Sequence, residues 1–105
     1  MAEHARRPRL LGMDDPRLQD LKALLVATAH AHHAVFGGAR RKWARWYAEW
    51  MYGQILTLLE SAPSVDTVED WLTRADTRYT TEQPEGSWPR MYATWLLEWD
   101  GDAAD

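Results

Sequence analysis

The segment Trp43-Ala44-Arg45-Trp46-Tyr47-Ala48-Glu49-Trp50 returns forty-five residues later as Trp88-Pro89-Arg90-Met91-Tyr92-Ala93-Thr94-Trp95, with five of eight positions identical. Rings spaced by four and then three positions share one face of an α-helix, whereas a strand would divide them between its two faces. The stretches upstream correspond as well: Pro16, Leu18, Leu21, Leu24 and Leu25 match Pro63, Val65, Val68, Trp71 and Leu72 at an offset of 47. Each unit therefore reads as a helix, a connector and an aromatic helix, and a lone hairpin of this kind cannot bury its apolar face. Pairing the two related hairpins predicts an all-α, four-helix array, and 105 residues accommodate one such domain.

Local signals set the expected boundaries. Asp15 caps a first helix opening at Pro16, with Leu18, Leu21, Leu25, Thr28, His32 and Val35 on one stripe and Gly37-Gly38 as its stop. A second helix is expected from about Ala39 to Glu60, its apolar face holding Trp43, Tyr47, Trp50, Met51, Gln54, Ile55, Leu58 and Leu59. Ser64 caps a third helix, Tyr79 to Gly86 reads as a loop, and Ser87 caps a fourth helix through Trp99. Residues 1–13 and the acidic tail 100–105 are expected to be flexible ends.

With Ala31-His32-His33 and Phe36 upstream, the aromatic segment resembles a loose set of small bacterial helical proteins carrying an "AHxxY … WPxWYAxY"-like pattern. The resemblance covers roughly residues 29–52. Ala44 stands where that pattern has proline, which Pro89 supplies in the second unit. The resemblance implies a helical fold and carries no activity with it.

The absence of cysteine excludes disulfides, thiolate nucleophiles and sulfur-ligated metal sites. Charge is unevenly distributed: residues 1–50 carry nine Lys/Arg and five Asp/Glu, residues 51–105 three and eleven. Such halves attract each other, within one chain or across a homodimer. No apolar run is long enough to span a membrane, and no secretory signal is legible, so the expected location is cytoplasmic.

Candidate chemistry concentrates around the first connector. His32 falls within the apolar stripe and should face Trp43 and Tyr47, whereas His30 and His33 lack the i, i+4 spacing of a chelating pair, so no metal or cofactor is expected. Gln54 is expected at the centre of the second helix's stripe, where an amide needs a partner. His32, Trp46, Tyr47, Trp50 and Gln54 thus form a candidate ligand-binding set. Gly38, Arg40, Arg41 and Lys42 form a candidate anion-binding set, because glycines, free N–H groups and cations meet at a helix start. Overall acidity and the shortness of the basic cluster argue against nucleic acid.

No nucleophile, base and orienter can be assembled from these residues. The leading expectation is a non-catalytic binding or regulatory module that docks a protein or small-molecule partner through aromatic and charged edges. The alternative is a small enzyme or ligand-binding protein with a pocket near His32, Tyr47, Trp50 and Gln54.

Overall fold

The computed structural model describes residues 15–38 and 42–104. Among them the chain is all-α, with four helices and no strand: α1 (Pro16–Phe36), α2 (Trp43–Leu56), α3 (Val65–Glu82) and α4 (Trp88–Ala104). Each helix packs against two neighbours, closing a ring in which α1 meets α2 and α4, and α3 meets the same two. No helix of the described residues is long and apolar enough to cross a membrane.

α1 begins as its sequence dictates. The Asp15 carboxylate accepts the Arg17 backbone N–H at 2.9 Å, and Pro16 occupies the first turn, where its missing N–H costs nothing. The helix ends where Gly37 takes a φ of +64°, a left-handed conformation that a Cβ would strain, and donates its N–H to the His33 carbonyl at 2.7 Å. Five members of the expected stripe are buried, but Val35, in the last turn, is 63% exposed.

The other boundaries depart from expectation for tertiary reasons. α2 opens at Trp43 behind a left-handed Lys42; the expected start at Ala39 lies outside the described residues. It stops at Leu56 instead of Glu60. The backbone groups that would have continued it are claimed from outside: Asp100 of α4 accepts the N–H groups of Glu60 and Ser61, both at 2.8 Å, and Arg17 of α1 donates to the Leu58 carbonyl at 3.1 Å. α3 runs on through Glu82, past the expected loop start at Tyr79, and closes with Gln83 in the left-handed region, its N–H on the Tyr79 carbonyl. α4 likewise continues to Ala104, so the expected acidic tail from Asp100 is helical through that residue. Asp100 is fully buried, and its Oδ1 also accepts the Ser61 hydroxyl at 2.7 Å.

The core is aliphatic where helices approach most closely. Leu18, Leu21 and Leu25 of α1 meet Met51 and Ile55 of α2, Val68 and Leu72 of α3, and Leu96 of α4 in one cluster. Full burial of each such side chain contributes about 1.5–3 kcal/mol. Ala48, Ala75 and Ala93 have no exposed surface, and their small side chains let neighbouring backbones approach. α2 therefore buries Ala44, Ala48, Met51 and Ile55, while Trp50 is 42% exposed and Gln54 is exposed. The expected stripe was centred on the largest apolar residues, but close packing favours the alanine side of the helix.

Arg45 ties α2 to α3. Its Nη1 reaches Asp66 Oδ1 at 2.6 Å and Glu69 Oε1 at 3.1 Å, and its Nε reaches Glu49 at 3.0 Å. Hydrogen bonds to Asp66, then Glu69 and Glu49, hold this guanidinium above its ordinary pKa.

Candidate binding cleft

Opposite the Asp100 end, the C-terminal part of α1, the N-terminal turns of α2 and α4 and the C-terminal half of α3 surround a cleft of about 420 Å³. Its wall comprises His32, His33, Gly37 and Gly38 with Ala29 from the α1 end, Trp43 and Tyr47 from α2, Asp76 and Tyr79 from α3, and Trp88 and Tyr92 from α4. The volume lies within the range of small-ligand pockets.

Each hairpin contributes the same aromatic corner. Trp43 and Tyr47 lie one turn apart on α2, with centroids 5.0 Å apart and planes at 84°. Trp88 and Tyr92 repeat the arrangement on α4 at 5.1 Å and 73°. These are edge-to-face contacts, which the ring quadrupoles favour. His32 packs on Tyr47 at 5.5 Å, and Tyr79 packs on Tyr92 at 6.1 Å. His32 and Tyr79 are separated by the offset of 47 that relates the first helices of the two units.

Chemically, the two sides differ. At the position of Ala29 in the first hairpin, the same offset gives Asp76 in the second. Asp76 Oδ1 accepts the Tyr92 hydroxyl at 2.8 Å, a charge-assisted bond that fixes both groups. The Tyr79 hydroxyl donates to the Gly86 carbonyl at 3.1 Å, pinning the α3–α4 turn beside the cleft. His32, only 7% exposed, is held by rings: Phe36 at 4.8 Å, Trp46 at 5.2 Å and Tyr47.

Of the ligand set read from the sequence, His32 and Tyr47 line the cleft. Trp46 touches His32 from the outer side and stacks on Trp50 with centroids 6.1 Å apart and planes at 14°. Gln54 is exposed on α2, away from the expected apolar centre; the helix rotates that face outward to bury Ala48 and Met51. Gly38 lines the cleft and Lys42 is exposed. Arg40 and Arg41, the heart of the anion reading, lie outside the described residues. Among the described residues no group of three or more His, Asp or Glu could hold a metal ion.

Asp76, Tyr79, Trp88 and Tyr92 were not singled out as ligand-facing from sequence. A signal was available for two of them, because adding 47 to Ala29 and His32 lands on Asp76 and Tyr79; reading Tyr79 as loop concealed it. Comparison with known proteins returns no matching family model, no curated relative and no similar solved structure.

Proposed function

We propose that this chain is a non-catalytic binding module whose ligand is a small molecule held in the cleft between the hairpins. One observation carries the reading. Indole and phenol rings from α2, α3 and α4, with an imidazole from α1, converge on an open space of about 420 Å³ instead of filling it. A purely structural seam would close over such rings, because unfilled space forfeits dispersion contacts on every lining atom. Among the described residues the cleft lining has a carboxylate and imidazoles but no Ser, Thr or Cys nucleophile beside a base, which favours binding over catalysis.

The test is a small-molecule panel titrated against ¹⁵N-labelled protein while the indole Nε1–H resonances are followed. Trp43 and Trp88 should shift together, with Trp71, buried in the core, unmoved. Shifts confined to Trp46 and Trp50 would overturn the cleft and favour the outer face.

That outer face supports a second reading, docking of a protein surface. Among the described residues, the exposed large hydrophobic side chains Val26, Val35, Phe36 and Trp50 all belong to the first hairpin. In the second hairpin Arg78 and Arg74 cover Trp95 and Trp99 at 4.5 and 4.7 Å. The corresponding residues of α1 are Ala31 and Ala27, which cannot screen an indole in that way.

A further inference from the structure

We infer that the outer face of the first hairpin pairs with the same face of a second copy of this chain; the inference rests on the second reading above, that this face docks a protein. The duplicated hairpin provides an internal comparison. Ala23, Ala27, Ala31 and Val35 recur every four residues on one side of α1, and the offset of 47 turns them into Asp70, Arg74, Arg78 and Glu82 on α3. There the charges pair within the helix, Arg74 with Asp70 at 3.6 Å and Arg78 with Glu82 at 3.0 Å, while both guanidinium groups lie over indoles of α4. The second hairpin thus closes its outer face with its own hydrated, mutually neutralised groups.

The first hairpin leaves that face apolar. Trp50 of α2 stands where α4 has the buried Trp95, yet it is 42% exposed, because Ala31 is too short to cover it. Trp46 stacks on Trp50, Phe36 meets Trp46 edge-on at 5.8 Å, and Val35, next to Phe36, is 63% exposed. Contiguous apolar patches of this kind mark interaction surfaces more often than free surface.

The rim of the face points to a second copy as the occupant. Asp20 lies three residues before Ala23 on the same side of α1 and is exposed at one end of the face; Lys42 is exposed at the other end, where α2 begins. A twofold axis running across both helices lays them antiparallel on their counterparts and brings each Asp20 end to the partner's Lys42 end. A parallel arrangement would set like ends together. The antiparallel one also opposes the helix dipoles and meets the self-complementarity that a twofold interface requires. With alanine at three of the four α1 positions, the two α1 backbones approach closely and Trp50 beside them becomes covered.

Size sets the expected strength. α1, with 21 residues, is about 31 Å long and two adjacent helices are about 20 Å wide, so the face offers roughly 600 Å². Each partner in a specific interface contributes roughly 600–1,000 Å². The face lies at the lower end, and the expected dissociation constant is of micromolar order.

Sedimentation equilibrium from about 1 μM to about 1 mM should show the mass rising from 12.2 kDa towards twice that value. The indole resonances of Trp46 and Trp50 should move over the same range. Ala31→Arg copies Arg78 of the second hairpin, so it should keep the fold, screen Trp50 and weaken pairing about tenfold or more. Should that variant fail to fold, Trp50→Gln serves instead, with a loss of about tenfold. Asp20→Lys should weaken pairing about threefold to fivefold, and adding Lys42→Asp should restore it. A monomer at every concentration, a dimer indifferent to Ala31→Arg and Trp50→Gln, or a charge exchange that restores nothing would overturn the inference. If the chain stays monomeric, 1-anilinonaphthalene-8-sulfonate separates the two levels. Fluorescence enhanced by the native chain and lost with Ala31→Arg removes only the second copy and leaves the face to a different protein, whereas no enhancement removes the outer-face reading as well.

Discussion

Replacing Asp100 with alanine tests whether one buried carboxylate holds the closed end of the bundle. The native group has no exposed surface and accepts three hydrogen bonds of 2.7–2.8 Å, two from backbone N–H groups of Glu60 and Ser61 and one from the Ser61 hydroxyl. Arg17 Nη1 lies 3.6 Å away, itself held in a fork by Asp15, with Nη2 to Oδ2 at 2.8 Å. Hydrogen bonding to Asp15, the largest influence, raises the Arg17 pKa, so this cation stays charged throughout the ordinary pH range. Truncation would strand two backbone donors at roughly 1–3 kcal/mol each, with a smaller loss from the hydroxyl, which can turn elsewhere. Refilling by water offsets part of this, leaving an expected loss of about 3–5 kcal/mol, a large share of the roughly 5–15 kcal/mol that stabilises a domain. At about 4–5 °C per kcal/mol for a chain of this size, the melting temperature should fall by about 12–25 °C. Chemical and thermal unfolding followed by circular dichroism measure it, with Glu98→Ala, an exposed neighbour on the same helix, as a control expected to stay within about 0.5 kcal/mol. A loss below about 1 kcal/mol for Asp100→Ala would refute the argument that α2 is halted by groups reaching in from α1 and α4.

Three further outcomes are expected from single substitutions. Gln83→Gly removes a side chain from a residue at φ +47° that closes α3, and should raise stability by about 0.5–1.5 kcal/mol in urea unfolding; an unchanged midpoint would show that the left-handed turn stores no strain. Tyr92→Phe deletes the hydroxyl bonded to Asp76 and should lower stability by about 1–2 kcal/mol, read as a drop in melting temperature of about 4–10 °C. Trp50→Gln removes a 42% exposed ring that stacks on Trp46, so it should cost no more than about 1 kcal/mol; a loss of several kcal/mol would mean that Trp50 is part of the folding core after all.

Much of the fold was legible because helical periodicity is a local property. Asp15-Pro16, Gly37 and Ser64 mark termini through their own backbone preferences, and the structure uses each of them there. The burial of Leu18, Leu21, Leu25, Thr28 and His32 followed from the 3.6-residue repeat alone. For the cleft, the same reasoning reached His32 and Tyr47 and stopped there. The opposite wall comes from α3 and α4, and which of their residues face α1 depends on how the hairpins dock.

From the sequence alone came the all-α class, four apolar helices and the paired Trp–Tyr spacing, since each depends on residues within a few turns of one another. Tertiary structure decided which side of α2 is buried, why that helix ends at Leu56, and why Asp100 is buried in a helix rather than lying in a solvated tail. Those outcomes depend on backbone groups and side chains some forty residues apart meeting in a space with little water. There, an unmet hydrogen bond or a poorly fitted indole outweighs the local preference of any single turn.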